Sequence, residues 1–157
     1  MPDITPFLWF DTEAEEGANF YTSLFPNSRI LDVTRYGSAG PGDEAKVMTV
    51  SFELNGQKFV GLNGGPSHTF SEAVSFVVNC EDQDEVDSYW EQLSDGGEEG
   101  PCGWLKDRFG LSWQIVPTAL PRLLTDPDPE KAQRVLEAMM QMKKIEIDDL
   151  ERAAAPA

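Results

Sequence analysis

Few side chains in this sequence are of the types that usually carry chemistry. His68 is the only histidine, and Cys80 and Cys102 are the only cysteines. A lone loop histidine is most often solvated, but its charge can change near neutral pH, which also suits ligand contact or an acid–base role. Cys102 is either a small buried apolar side chain or a thiol that faces a ligand. Two cysteines are too few for a disulfide framework, so we expect free thiols, although the sequence leaves a bond between them open.

The elements that position these residues follow a repeat with an offset of 69 residues. At that offset, Phe7 falls on Phe76 and Tyr21 falls on Trp90. Self-similarity of this length indicates two copies of one supersecondary module. Two such halves usually face each other across a crevice, and crevices are where small molecules bind.

The first copy has the pattern of a β-α-β-β-β unit. Its predicted elements are a strand at 4–10, a helix between Asp11 and Pro26, and strands at 28–36, 47–54 and 57–62. Thr12 and Glu15 have the spacing of a capping box at the start of the helix. Asn55-Gly56 predicts a tight hairpin turn. The glycine-rich stretch 37–44 is predicted to be a loop.

The second copy is shorter, so we expect it to have shorter strands or one strand fewer. Its clearest elements are a strand at 73–79, a helix and a strand at 111–116. Asp82 can cap the helix with Glu85 three residues later, and Gly96-Gly97 ends it. Asp107-Arg108 is predicted to form a tight turn, with a pocket role as the alternative.

Strand alternation predicts which side chains share a sheet face. Trp9 and Trp113 are expected to be core aromatics packed beneath the two helices. The opposite face then carries Ser75, Asn79, Ser112, Gln114 and Val116. Trp104 either lines that open face, where it would stack on a planar ligand, or packs into the core.

The organisation predicted from these patterns is one domain at 1–120, made of modules 1–65 and 66–120, followed by a helical extension at 121–157. The prolines between 117 and 129 predict a linker, and Asp128-Pro129 predicts the start of a long helix. An apolar stripe follows on that helix: Ala132, Val135, Leu136, Met139 and Met142. The stripe either covers the core of its own chain or contacts a second subunit, for which methionines are well suited.

The charge balance limits the choice of partners. The formal net charge is −16 at pH 7, which repels phosphate backbones and anionic lipids, so we expect no nucleic-acid or membrane partner. The amino terminus has no basic start, and no apolar run approaches the length of a membrane-spanning helix. We therefore expect a cytoplasmic protein.

The repeat and its motifs resemble the glyoxalase/bleomycin-resistance/extradiol-dioxygenase superfamily, also called vicinal oxygen chelate, and within it the PhnB-like branch. The motifs are Trp9-Phe10-Asp11, Phe20-Tyr21, Leu24-Phe25-Pro26, Asn63-Gly64-Gly65-Pro66, the run from Cys102 to Asp107, the run from Phe109 to Pro117, and the tail stretch from Ala138 to Ile145. The resemblance implies an α+β fold, with two βαβββ-type modules in a cupped mixed sheet, and a homodimer. Members of this branch often carry the label 3-demethylubiquinone-9 3-methyltransferase.

In this superfamily a divalent metal is usually held by His, Glu or Gln on the first and last strands of each module, where it acts as a Lewis acid. Neither predicted first strand, 4–10 or 73–79, contains His, Asp, Glu or Cys, whichever face is considered. Gln114 lies where the superfamily often has a metal-binding Glu. One neutral amide is a poor ligand set for a dication, so we expect no catalytic metal.

The favoured function is therefore metal-free binding of a small, mostly apolar or aromatic molecule, with no cofactor. The candidate pocket residues are His68, Ser75, Asn79, Cys102, Trp104, Ser112 and Gln114. One alternative is an enzyme of the superfamily, of the lyase, isomerase or dioxygenase type. The methyltransferase of the family label is disfavoured, because the glycine-rich stretches 37–42 and 61–65 are predicted loops that lead into no helix, unlike a typical S-adenosylmethionine site. A dimeric interaction protein with a vestigial cup is the remaining alternative.

Overall fold

The computed structural model describes residues 2–37 and 46–156. The chain divides into two compact units, Met1–Phe70 and Ser71–Ala157. The predicted boundaries at 65 and 120 stay predictions. Beyond Gly37, the predicted loop at 37–44 lies outside the described residues. No helix within those two ranges is long and apolar enough to cross a membrane.

The first unit is a β-α-β-β-β module, as predicted. Its elements are β1 (Phe7–Phe10), α1 (Ala14–Leu24), β2 (Arg29–Arg35), β3 (Val47–Leu54) and β4 (Gln57–Asn63). They form a mixed four-stranded sheet of order β1-β4-β3-β2, in which β1 runs parallel to β4 and the other pairs are antiparallel. The predicted hairpin is confirmed: Asn55 and Gly56 have φ of 47° and 84°, the conformation that Asn-Gly favours in a two-residue turn.

The amino terminus of α1 is not capped in the predicted way. The prediction of a Thr12–Glu15 capping box is wrong, since the N-cap residue is Glu13 and its side chain makes no capping hydrogen bond. The Ala14 backbone N–H instead donates to Asn63 Oδ1 at 2.8 Å. Because β4 pairs with β1, Asn63 at the carboxyl end of β4 lies next to the first turn of α1.

The second unit repeats the module with shorter strands, as predicted. Its elements are β5 (Ser75–Cys80), α2 (Gln83–Ser94), β6 (Glu98–Glu99), β7 (Trp104–Lys106) and β8 (Ser112–Pro117). The sheet order is β5-β8-β7-β6, with β5 parallel to β8. The predicted cap of α2 is confirmed, because Asp82 Oδ1 accepts from the Glu85 N–H at 2.9 Å and Glu85 Oε1 accepts from the Glu81 N–H at 2.8 Å.

The 69-residue register holds for the helices and fails for the first strands. Tyr21 and Trp90 are both buried, as the alignment requires. Phe7, however, is 60% exposed, whereas Phe76 packs on the Trp113 ring at a centroid distance of 5.6 Å. The alignment of the two copies at an offset of 69 residues is therefore wrong by one residue in the first strands. The cause is the link between strand and helix, which is one residue longer in the first unit, where β1 ends at Phe10 and α1 begins at Ala14.

The carboxyl-terminal extension has three helices: α3 (Ala119–Leu124), α4 (Pro129–Met140) and α5 (Ile147–Ala154). The predicted start of α4 is confirmed, and α3 was predicted as linker. Proline is tolerated in the first turn of a helix, so Pro121 does not prevent α3 from forming. The extension has a core of its own: Leu120, Leu123, Val135, Ile145, Leu150 and Ala154, with Met139 and Met142 packed against it. The apolar stripe therefore covers a core of its own chain, the first of the two alternatives.

Two side chains of α2 connect this extension to the β-α-β-β-β module of the second unit. Gln83 Nε2 donates to the Ile145 carbonyl at 3.0 Å, and its Oε1 accepts from the Ile147 N–H at 2.7 Å. The carboxylate of Asp87 pairs with Lys144 Nζ at 2.7 Å. The hydrogen bond from this lysine is the largest of the causes that lower the pKa of Asp87.

Candidate ligand-binding cavity of the second unit

The two faces of the second sheet have different roles. Leu105, Trp113 and Ile115 are buried on the face that α2 covers, which confirms Trp113 as a core aromatic. The opposite face, which we call the open face, carries the alternate side chains. The strand register places a polar row straight across all four strands of it: Glu98, Lys106, Ser112 and Ser75. A second row lies beside the first: Trp104, Gln114 and Val77.

A cavity of about 450 Å³ lies over the β6–β8 part of this face. Its lining residues are Glu72, Glu98, Glu99, Gly100, Pro101, Trp104, Leu105, Lys106 and Ser112. Lys106 Nζ pairs with Glu72 Oε1 at 2.5 Å. That hydrogen bond raises the pKa of Lys106 and lowers the pKa of Glu72, so both groups stay charged through neutral pH. Apolar and aromatic walls with a few charged groups are typical of small-molecule sites.

Ser112 is the unusual member of the lining. Its side chain is fully buried, and in the part of the chain that the structure describes its Oγ is a buried polar atom without a hydrogen-bond partner. The neighbouring Ser75 Oγ accepts from Gln114 Nε2 at 2.9 Å. An unpaired buried hydroxyl costs about 1–3 kcal/mol, so native proteins rarely keep one without a use.

The turn before β8 is held by Asp107, which is 2% exposed. Its Oδ1 accepts from the N–H groups of Phe109 and Leu111 at 2.9 and 3.1 Å, and its Oδ2 accepts from Trp113 Nε1 at 2.9 Å. Both oxygens accept hydrogen bonds, from the turn and from β8, so Asp107 is structural, as the turn prediction requires. It fixes the strand that carries Ser112 and Gln114.

Two other predicted pocket residues of the second unit lie elsewhere on it. Asn79 is exposed at the far end of the open face, beside Val116, which packs against the core of the extension. Cys102 has a φ of 58°, and its N–H donates to the Met142 carbonyl at 2.8 Å, so it anchors the extension. Both thiols are free, and burial raises the pKa of the Cys80 thiol to about 12, with the Glu85 carboxylate adding to the shift.

His68 belongs to the first unit, where it is exposed and contacts Trp9 edge to face at a centroid distance of 4.8 Å. Trp9 does not pack beneath α1 as predicted, because Leu8 and Phe10 occupy that face and Trp9 alternates to the other. Its Nε1 donates to the Gly65 carbonyl at 2.9 Å. A Cβ on Gly64 would lie 2.4 Å from the Trp9 ring, so only glycine fits there.

The residues present do not fit the divalent metal that the superfamily implies. Gln114, at the expected ligand position, is a neutral amide whose nitrogen is hydrogen-bonded to Ser75. Within residues 2–37 and 46–156, no group of three or more His, Cys, Asp or Glu side chains is arranged to hold a metal ion. A dication needs several such donors.

The cavity also contains residues that sequence reasoning missed, chiefly Glu72, Glu98 and Lys106. A strand at 104–106 paired with β8 would have placed Lys106 opposite Ser112. Three residues are too few to show an alternating pattern, so the sequence carries no usable signal for β7.

Comparisons with known proteins agree with this architecture. The sequence profile of a family described as 3-demethylubiquinone-9 3-methyltransferase matches residues 2–116. A solved structure of a putative 3-demethylubiquinone-9 3-methyltransferase, PhnB protein, from Bacillus cereus is 39% identical, with a TM-score of 0.66 over 74% of this chain and 100% of that chain. Protein PA1353 from Pseudomonas aeruginosa is 19% identical, with a TM-score of 0.63 over 74% and 98%. No curated protein matches the chain.

A third solved structure is the fosfomycin resistance protein FosX from Listeria monocytogenes, complexed with Mn(II) and sulfate. It is 15% identical, with a TM-score of 0.54 over 78% of this chain and 94% of that chain. Like PA1353, it is too distant to show more than a shared fold.

Two β-α-β-β-β units, each with a mixed four-stranded sheet, define the class: this protein has the glyoxalase/bleomycin-resistance/dioxygenase fold. Within that class, the chain belongs to the PhnB-like family described as 3-demethylubiquinone-9 3-methyltransferase, which confirms the resemblance found in the sequence. The family match ends at residue 116, before α3, so the likeness of the tail stretch 138–145 stays a prediction.

Proposed function

We propose that the second unit binds a small, mostly apolar or aromatic molecule in the cavity over its open face, without a metal. The observation that carries the proposal is the unpaired, fully buried Ser112 Oγ in the lining of a cavity of about 450 Å³. A hydroxyl can both donate and accept, so a ligand with one polar group would satisfy it. Catalysis is not part of the proposal.

Trp104 supports an aromatic ligand. It is half-buried on the open face beside Gln114, and it belongs to the cavity lining. An indole ring offers a large rigid surface on which planar molecules stack, and an aromatic pair contributes about 0.5–1.5 kcal/mol beyond the area that it buries. Pro101 extends the apolar wall.

The methyltransferase of the family description is the alternative activity. S-adenosylmethionine sites commonly use a glycine-rich turn between a strand and a helix. The stretch 61–65 was predicted to be a loop, but its residues 61–63 belong to β4, so that prediction is corrected. No helix begins between Gly64 and the start of α2. The other stretch, 37–42, lies beyond Gly37 outside the described residues. We therefore favour binding over methyl transfer.

We expect a homodimer, as the family resemblance implies, and a cytoplasmic location. The net charge of −16 argues against a nucleic-acid partner. We keep the exposed His68 of the first unit as a further candidate ligand contact.

Ligand capture tests the proposal. Native mass spectrometry of the purified protein should detect a co-purifying small molecule, and a thermal-shift screen of aromatic compounds should yield stabilising hits. Trp104→Leu should weaken binding of those hits by roughly tenfold. Trp9→Leu, which removes a half-buried tryptophan of the first unit, is the matched control and should leave binding unchanged. Loss of binding in W9L alone, or no hit in a broad screen, would overturn the assignment.

A further inference from the structure

The charges around the cavity are unbalanced. Three carboxylates line it, from Glu72, Glu98 and Glu99, against the one ammonium of Lys106, which gives a net formal charge of −2. The chain as a whole carries −16, so the surroundings add negative rather than positive potential. A pocket lined by one sign of charge concentrates ligands of the opposite sign.

The single positive charge in the lining is already engaged. Lys106 Nζ lies 2.5 Å from Glu72 Oε1. Glu98 is its direct cross-strand neighbour on the other side, and this carboxylate further raises the pKa of Lys106. An anionic ligand would have to displace Glu72 and then remain close to the other two carboxylates.

The lining carboxylates on β6 have capacity left for a cation. Glu99 accepts a hydrogen bond from Trp90 Nε1 at 2.8 Å through Oε1, and no contact within the described residues occupies its Oε2. Glu98 forms no ion pair within the described part of the chain. A carboxylate oxygen is an acceptor only, so both groups can bind a donor such as an ammonium or amidinium.

We propose that the cavity is selective for an organic cation: an apolar or aromatic body carrying an ammonium or amidinium group. The body packs on Trp104, and the charged group lies beside the Glu98 carboxylate, which shares the open face with Lys106. A second N–H or O–H of the ligand donates to Ser112 Oγ, the buried atom that lacks a partner. This inference rests on the proposed function, because it assigns a charge to the ligand of the same cavity.

Three probes with one ring system test the charge: 2-naphthylmethylamine, 2-naphthalenemethanol and 2-naphthoate, titrated into the wild-type protein at low and at moderate salt. The amine should bind roughly 3–10 times more tightly than the alcohol at low salt, and the carboxylate should bind more weakly than either. Added salt should shrink the advantage of the amine, because exposed charges are screened. The affinity of the alcohol should not change.

Glu98→Gln should reduce the preference for the amine over the alcohol by about 2–3-fold while leaving the alcohol affinity unchanged. Glu16→Gln, an exposed position on α1 of the first unit, removes the same charge and should leave the preference unchanged. Equal binding of amine and alcohol, or equal effects of E98Q and E16Q, would overturn the cation assignment and leave the proposed function standing. If none of the three probes binds at millimolar concentration, both the assignment and the proposed function are overturned.

Discussion

The Ser112 hydroxyl offers a sharp test, because removing it should stabilise the empty protein. Ser112→Ala deletes a fully buried polar atom that has no hydrogen-bond partner. The folded state then no longer includes the desolvation cost of that group, which is about 1–3 kcal/mol. Most substitutions of buried residues destabilise a protein, so a gain in stability would be informative.

The expected size follows from two opposing contributions. The relieved desolvation is offset by the lost dispersion contacts of one oxygen atom, at about 0.1–0.2 kcal/mol for each contact. We therefore expect the free energy of unfolding to rise by about 1–2 kcal/mol. For a protein of this size that corresponds to a rise in Tm of about 2–8 °C. Urea titration with an unchanged slope, together with a thermal melt, measures the effect.

Ser75→Ala is the matched control on the neighbouring strand. Its Oγ accepts from Gln114 Nε2, so this variant loses a hydrogen bond and should be destabilised by about 1 kcal/mol. The two serine-to-alanine variants should therefore shift stability in opposite directions. Destabilisation of S112A by as much as S75A would show that the Ser112 hydroxyl has a partner, and the argument for an unfilled polar position in the cavity would fail.

Three further substitutions test the framework around the cavity. Asp107→Asn should cost about 2–4 kcal/mol by urea titration, because its amide N–H would face the Trp113 N–H in place of a carboxylate oxygen. Leu150→Ala should cost about 2–5 kcal/mol, because the side chain is fully buried in the core of the extension. Asp87→Asn should lower stability at neutral pH, and the difference from wild type should disappear in acid, because the pKa of Asp87 in the fold lies below its usual 3.8. The stabilisation by the Asp87 carboxylate is fully present above its usual pKa of 3.8, and it is lost as the pH falls through the lowered pKa of the folded state.

Each of these substitutions has a control and a contradicting outcome. Asp95→Asn touches only an exposed ion pair with Arg108 at 3.6 Å, so a loss as large as that of D107N would remove the special role of Asp107. Met140 on α4 is 59% exposed, so Met140→Ala should leave the free energy of unfolding nearly unchanged. If L150A also left it nearly unchanged, the extension would not fold on its own core. A stability difference between D87N and wild type that does not shrink as the pH falls below 3.8 would contradict the ion pair with Lys144.

The sequence predicted the elements whose signals are local. The Asp82–Glu85 cap, the Asn55-Gly56 turn and the burial of Trp113 each depend on neighbouring residues or on strand alternation, and all three were found. The cap of α1 was missed because its donor and acceptor are 49 positions apart, and only the pairing of β1 with β4 brings Asn63 to Ala14.

The candidate cavity was only partly predictable for the same physical reason. Alternation placed Ser75, Ser112 and Gln114 correctly on one face of the second sheet. Alternation cannot show that Ser112 Oγ has no partner, nor that Lys106 pairs with Glu72, because both depend on side-chain packing across strands. The one-residue error at Phe7 had a related origin, since an ungapped alignment cannot detect a longer link between strand and helix.

The central claim is that the open face of the second sheet binds an apolar or aromatic ligand. Amide and indole chemical shifts of the isotope-labelled protein, followed by NMR during titration with 2-naphthylmethylamine, test it most directly. We expect saturable shifts at the Trp104 indole N–H and at the amides of Lys106 and Ser112, with the Trp9 indole N–H unmoved. Shifts confined to the first unit, or no saturable shift at all, would contradict the account.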